Sequence, residues 1–374
     1  MSVIGIDVAT IIPGKGGTGG GIWTYAKNVL MALDDLVENE SGIKVKVFVN
    51  KAFDLNLKHI DVIRTDLNTE PLINRLRYVH LVLPRLCKRF HVDVLHKLAT
   101  EVPFFYRGSV IVTIHDFMSD FYLEKGYYRN DLFGLLKSHY FKFIEKIAVK
   151  KSRLIIANSF SIKNELTGKY GNKNVRVIGL GNSVNEIPVP CKNKKTLSFY
   201  CVAGYYPHKG HLNVIRLVEL LVSRYHLDIM LHFRGNPGNE KYFNSILERA
   251  KQSSCRERIS IEGYVAQCSI SEIFADADFM ILLSEYEGFG LPVIEAQAIG
   301  LPVICSDIPV LREVSGGYAC FVDLNDAEKA AGIVYDFLGN AAIQQYNIAN
   351  GIDHVKRFQW SKNAAQLIQA YKSI

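Results

Sequence analysis

The sequence predicts an α/β protein of two domains. Three observations carry this. Short apolar runs recur along the whole chain, each followed by a turn marked by glycine, proline or asparagine and then by a stretch of helical periodicity, which is the rhythm of buried parallel strands alternating with helices. A chain of 374 residues exceeds what one hydrophobic core usually serves. A hydrophobic content of 48% with 22% charged residues belongs to an ordered globular protein.

In the N-terminal half, Val3–Val8 reads as a buried strand. A loop from Ile11 to Gly21 with six glycines follows, then a helix from Trp23 to Leu36. This loop lacks a clean G-x-G-x-x-G and has no acid at a ribose position, so a mobile surface loop competes with a ligand-binding one. Gly19, Gly20 and Gly21 still permit close approach to the backbone. Further strands are expected at Val45–Val49, Val92–His96, Val110–His115, Leu154–Ala157 and Val175–Ile178. Two basic helical segments stand between them: 72–91, bent or interrupted at Pro84, and Tyr140–Arg153. His115 ends a strand, where open α/β sheets bind ligands. The polar segment Gly179 to Lys195 reads as the linker, giving domains 1–182 and 196–374, with the C-terminal helix a candidate to pack back onto the first domain.

The second half repeats the pattern. Strands are expected at Leu197–Ala203, Leu227–Phe233, Ile259–Glu262, Phe279–Leu283, Leu301–Cys305 and Cys320–Val322, and helices at His211–Tyr225, Tyr242–Gln252 and Ile270–Ala275. Lys209, at a helix start after a strand, suits a phosphate.

The functional signal concentrates in Ser284–Ala296, S-E-Y-E-G-F-G-L-P-V-I-E-A. A strand leads into it, Gly288 and Gly290 bracket Phe289, and Pro292 marks a helix start. Glu287 falls in the loop and Glu295 in the first turn of the helix, with backbone N–H groups between them that lack helical acceptors. Glu295 is the wrong charge for a phosphate and the right one for diol hydroxyls.

Composition excludes several classes. There is no run of 18 uncharged apolar residues and no secretory signal in M-S-V-I-G-I-D-V, so a cytoplasmic protein is expected. Seven scattered cysteines without a C-x-x-C pair favour reduced, buried thiols over disulfides or zinc. The +7 net charge belongs to the first half: residues 1–180 hold 26 basic against 17 acidic side chains, and the remainder 18 against 20. A basic face on one domain suggests an anionic partner, and the two basic helices could present cationic, aromatic faces to an anionic membrane surface. Ordinary helices packed on a sheet with lysines outward read equally well. No nucleic-acid motif appears, so a nucleic-acid partner is not expected.

In this order, S-E-Y-E-G-F-G-L-P-V-I-E-A, G-L-P-V-I, S-D-I-P-V-L-R-E-V, the Lys209-Gly210 loop, G-Y-V at 263–265, T-I-H-D at 113–116 and R-L-I-I-A-N-S-F-S at 153–161 resemble the retaining glycosyltransferases of family 4, of GT-B type. The resemblance covers nearly the whole chain. It implies two Rossmann-like domains facing each other across a cleft, no cofactor and no metal, and a UDP- or GDP-linked sugar as donor. It further implies that Glu295 binds ribose, Lys209 neutralises the diphosphate, the amides of Phe289, Gly290 and Leu291 assist near the donor sugar, and Glu287 holds sugar hydroxyls. Tyr264 and Val265 would lie by the base, His115 would face the sugar, and Gly20 and Gly21 would close over the phosphates or acceptor. The family's loop arginine, as in G-R-x-x-x-x-K-G, is absent from Gly204–Lys209, and Arg234 is a candidate replacement. Asp276-Ala277-Asp278 imitates a metal-binding D-x-D, but it precedes a strand instead of following one, so helix end and turn is its expected role. The expected activity is transfer to a lipid-linked saccharide or polysaccharide precursor at the inner membrane face. The alternatives are a GT-B-shaped sugar-nucleotide epimerase, which needs no acceptor, and a non-catalytic nucleotide-sugar-binding subunit.

Overall fold

The computed structural model describes residues 1–13, 20–51, 53, 55–129, 131–171, 173–184, 195–263 and 269–374. The chain divides into two compact units, Met1–Gly181 with Phe358–Ile374, and Asn182–Arg357. The first is built on strands β1 (Ser2–Asp7), β2 (Ile43–Val49), β3 (Asp61–Arg64), β4 (Val94–Lys97), β5 (Ser109–Ile114), β6 (Leu154–Ala157) and β7 (Val175–Val177). They form a seven-stranded sheet in the order β3-β2-β1-β4-β5-β6-β7. The second unit carries β8 (Leu197–Val202), β9 (Ile229–Gly235), β10 (Ile259–Gly263), β11 (Phe279–Leu282), β12 (Val303–Ser306) and β13 (Cys320–Val322). Their order is β10-β9-β8-β11-β12-β13, a six-stranded sheet. The pairing is parallel throughout both.

Parallel strands covered on both faces explain the continuous apolar runs. β4, β6, β11 and β12 are buried at every residue. In the second unit Phe199, Phe233, Phe279, Ile281 and Ile304 from the strands meet Val214, Val218, Val334 and Phe337 from the helices His211–Tyr225 and Ala327–Gly339. Each sheet reverses its strand order once, between β1 and β4 and between β8 and β11. Such a reversal opens a crevice at the carboxyl ends of the two central strands.

In the first unit, the helix Trp360–Lys372 packs on Gly21–Val37. The Trp360 ring lies 6.2 Å from that of Tyr25, and the Tyr371 hydroxyl bonds His96 Nδ1 at 2.8 Å.

Two helical readings need correction. Segment 72–91 stays helical through Pro84: Leu72–Arg77 passes through a π turn, Tyr78–Val82, into Leu83–Arg89. Proline has no N–H and crowds the carbonyl four residues back, here His80, and widening that turn absorbs the conflict. The second basic helix begins at Leu132 rather than Tyr140 and runs to Lys151, its start capped by Asp131, whose carboxylate accepts from the Gly134 N–H at 2.9 Å.

Candidate functional site: the carboxyl ends of β8 and β11

Two loops meet where the second sheet reverses. The loop after β8 passes through a tight turn, Pro207–Lys209, and then Gly210 at φ +67°. A Cβ on Gly210 would stand 1.9 Å from the carbonyl oxygen of Leu283, so only glycine allows this loop to press against the end of β11. The Glu285 N–H donates to the His208 carbonyl at 2.8 Å and laces the loops together.

This lacing brings Lys209 to Glu287. The ammonium lies 2.7 Å from Oε1 and 2.8 Å from Oε2. Ser284 Oγ donates to Glu287 Oε1 at 2.7 Å, and Ser306 Oγ, at the end of β12, donates to the Ser284 carbonyl at 2.5 Å. Glu287 is buried, as are both serines, whereas the Lys209 side chain keeps 20% exposure. The carboxylate is therefore fixed from two sides, and the ammonium is the member of the pair that a ligand can reach.

Gly290, at φ +104°, caps the helix Leu291–Ala298, with Pro292 in its first turn. Phe289 is buried. Leu291 is half-buried at the first helical position. Glu295 is the fifth helical residue and so stands in the second turn, one turn further along than expected. It is half-buried, and its carboxyl has no hydrogen-bond or ion-pair partner among the described residues. Burial without a cation pushes its carboxyl up to about 7. An acceptor held in this way is suited to hydroxyl donors.

Arg234 lies in β9 and bonds across to β10 and the helix that follows it. Its Nε donates to Glu262 Oε2 at 2.9 Å, its Nη1 to the Ile273 carbonyl at 2.5 Å, and the guanidinium lies 4.9 Å above the Tyr200 ring. These contacts tie it to the β9–β10 edge of the sheet. In place of the loop arginine, Tyr205 is fully buried and donates to the Glu262 carbonyl at 2.8 Å. Asp278 lies before β11, at the opposite end of the strand from Glu287. Its Oδ2 accepts from the Ser198 N–H at 2.8 Å, a turn-and-strand role for this part of the D-x-D.

In the first unit, His115 follows β5 and is buried. Its Nε2 lies 2.9 Å from the Leu98 carbonyl. A carbonyl only accepts, so Nε2 carries the proton and Nδ1 presents a lone pair. Burial holds the ring neutral, pulling its pKa down to about 4 despite the Leu98 bond. The Tyr25 ring meets it edge-on at 4.9 Å. Gly20 and Gly21 are exposed at the start of the helix Gly21–Val37. Gly14 to Gly19 lie outside the described residues, as do Tyr264 and Val265.

Sequence reasoning did not single out Ser284 and Ser306, which fix Glu287. Ser284 stood at the head of the quoted stretch, and nothing in the sequence marked Ser306. Also missed was a buried triad in the first unit. The Lys97 ammonium at the end of β4 bonds Asp7 at the end of β1, and the Tyr78 hydroxyl donates to Asp7 Oδ1 at 2.6 Å.

Two Rossmann-like units, with a lysine, two glutamates and a glycine turn at the strand reversal of the second, define a GT-B glycosyltransferase. Residues 19–185 match the model of Glycosyltransferase Family 4 and residues 185–354 that of Glycosyl transferases group 1, and the chain belongs to this family of glycosyltransferases. An O-antigen chain mannosyltransferase of Salmonella typhimurium is 27% identical over 320 residues, 84% of this chain and 85% of that one. Among solved structures, sucrose-phosphate synthase from Thermosynechococcus elongatus superposes with a TM-score of 0.78 at 18% identity over 100% of this chain and 99% of that one. HepE from Anabaena, in complex with UDP and glucose, superposes with a TM-score of 0.72 at 16% identity, with 100% of each chain covered. Among the described residues no helix is long and apolar enough to cross a membrane.

Proposed function

We propose that this protein is a retaining, metal-independent hexosyltransferase that moves mannose from a nucleoside diphosphate sugar to a lipid-linked saccharide or polysaccharide precursor at the inner membrane face. The Lys209–Glu287 pair carries the reading. It stands at the strand reversal of the second sheet, with Glu295 one loop and one helical turn away. The mannose assignment is supported by the activity in the name of the Salmonella typhimurium relative.

The chemistry follows from the charges. Breaking the anomeric C–O bond leaves negative charge on the departing diphosphate. Lys209 and the amides of Phe289, Gly290 and Leu291 are assigned to it, a preorganised cation and dipoles that need little reorganisation. When Lys209 turns to the diphosphate, Glu287 is released to accept from sugar hydroxyls, with Ser284 still holding its Oε1. Glu295 accepts from the ribose hydroxyls. The lone pair of His115 Nδ1 accepts from a hydroxyl of the donor sugar. The acceptor hydroxyl attacks the face the diphosphate leaves, its proton passes to a diphosphate oxygen, and the new C–O bond keeps the anomeric configuration. Attack on the face the diphosphate leaves needs no enzyme nucleophile, so Glu287 is assigned no covalent role.

Thermal shift with UDP, GDP, UDP-glucose and GDP-mannose tests donor binding, since a ligand bound only by the folded state raises the melting temperature. Stabilisation by one nucleotide diphosphate and its sugar is expected, followed by transfer to a membrane extract that persists in EDTA. Loss of transfer in EDTA with rescue by Mn²⁺ overturns the metal-independent step. Conversion of donor alone to an epimer, or binding with transfer to no acceptor, overturns the transferase reading.

A further inference from the structure

The helix Leu132–Lys151 turns an apolar stripe toward solvent. Leu132, Phe133, Leu136 and Phe143 are 72%, 71%, 60% and 57% exposed. At the helical spacing of 100° per residue they fall on one arc, which also takes in half-buried Tyr140 and Ile147. The opposite arc, with Gly134, Ser138, Ile144, Glu145, Ala148 and Val149, is buried, the helix packing on Met118–Lys125 and on β5. The helix thus has two faces: one is buried in the fold, and a second, apolar one leaves four large side chains more than half exposed.

The stripe is extended by neighbours. The ring of Phe104 meets that of Phe143 at 6.3 Å, and the Lys151 ammonium donates to the Pro103 carbonyl at 3.0 Å, fixing a loop whose Phe105 is exposed. That loop is joined in turn to the helix Leu72–Arg77, through Arg75 and Glu101 at 2.6 Å, where Leu72 and Ile73 are exposed.

Charge identifies the occupant. The helix has five lysines and one acid, and that acid, Glu145, is buried and bonded to the Tyr170 hydroxyl at 2.7 Å. Lys137, Lys146 and Lys150 are exposed beside the stripe and form no ion pair among the described residues. Exposed Arg77 and Arg85 stand on the neighbouring helical segment. An apolar stripe rimmed by cations with no exposed acid on the same helix matches a lipid surface that offers acyl chains below and anionic head groups above. A second copy of this chain would set these same lysines against each other.

We infer that this face docks the protein on an anionic lipid surface through Leu132, Phe133, Leu136, Phe143 and Phe105, with Lys137, Lys146 and Lys150 on the head groups. The inference gives a location to the membrane-borne acceptor proposed above, yet its test needs no sugar transfer, so either can fail alone.

The full chain is floated with phosphatidylcholine vesicles with and without phosphatidylglycerol. Binding is expected only to the anionic vesicles and is expected to weaken as salt shortens the Debye length. Phe133→Ser with Leu136→Ser, and separately Lys146→Glu with Lys150→Glu, are expected to weaken binding about tenfold or more at an unchanged melting temperature. Absence of wild-type binding, or undiminished binding by both variants, overturns the inference. So does a wild-type dimer that Phe133→Ser with Leu136→Ser converts to monomer, which would make the face a self-association surface.

Discussion

Replacing Glu295 by Gln separates what the residue costs the fold from what it does for a ligand. Its carboxyl is raised from 4.5 to about 7 by burial. The folded state therefore holds a proton that the unfolded state has already released between pH 4.5 and 7. In that window each unit of pH costs stability, and above pH 7 the penalty is constant. At about 1.4 kcal/mol per pH unit the rise corresponds to an upper limit of about 3.5 kcal/mol. Solvent at a half-buried group and the cost of burying an amide reduce the net gain for Gln to about 1–2 kcal/mol. In a domain of this size that is a melting temperature higher by about 3–6 °C. Melts at pH 5 and pH 8 should show the variant close to wild type at the lower pH and more stable at the higher. In the same assay a nucleotide diphosphate should stabilise the wild type at pH 8 and the variant much less, because the amide NH₂ meets ribose hydroxyls with a donor. A gap that is constant across pH would refute the burial argument. A variant that keeps full nucleotide stabilisation would refute the ribose assignment.

Other perturbations bear on the same site. Lys209→Ala strands the buried Glu287 carboxylate and should cost about 2 kcal/mol in denaturant melts, less than for a fully sealed pair. Adding Glu287→Gln to Lys209→Ala should recover about 1 kcal/mol or more, and simple additivity in the cycle would show that the two do not interact. Gly210→Ala places a methyl on the Leu283 carbonyl at a left-handed φ and should cost about 3 kcal/mol or more, read as lost soluble yield or a lower melting temperature. His115, neutral above about pH 4, should add no limb to a turnover profile between about pH 6 and 9, while His115→Phe should lower kcat about 10- to 100-fold by removing one acceptor.

The parallel strands were legible because burial on both faces leaves an uninterrupted apolar run. β3 was not, since Asp61–Arg64 is a sheet-edge strand with two charged residues among its four. What holds it is pairing to β2 and the Lys46–Asp61 bond at 2.6 Å, a contact between residues fifteen apart. The start of the helix at Leu132 was hidden for a different reason. Its first turns carry apolar residues on the solvent side, so the pattern does not resemble a helix with a single buried face. In the site, Glu287, Glu295 and Lys209 could be picked out as loop and helix-start residues of the right chemistry. That Lys209 holds Glu287 could not, because the pairing spans 78 positions and depends on Gly210 fitting against Leu283. The serines that fix Glu287 act through geometry alone, and single hydroxyls leave no trace in periodicity.

The two sheets repeat one device with opposite outcomes. At each strand reversal a lysine meets a carboxylate: Lys97 with Asp7 at the ends of β4 and β1, and Lys209 with Glu287 in the loops after β8 and β11. In the first unit both side chains are fully buried, the partners lie directly across adjacent strands, and Tyr78 takes the second carboxylate oxygen. Neither side chain is open to solvent, and the desolvation of both ions is compensated only while the triad stays intact. In the second unit the pair is moved off the strands into loops, and the loop glycine lets them cross. There the carboxylate is anchored by a serine instead of a tyrosine, and the ammonium reaches the surface. An anion can take the lysine at the cost of one exposed-side ion pair, and the carboxylate it leaves behind still has Ser284 as a donor. The difference between the two pairs lies in where the chain puts them, on the strand ends or a few residues past them, and in which partner is left facing water.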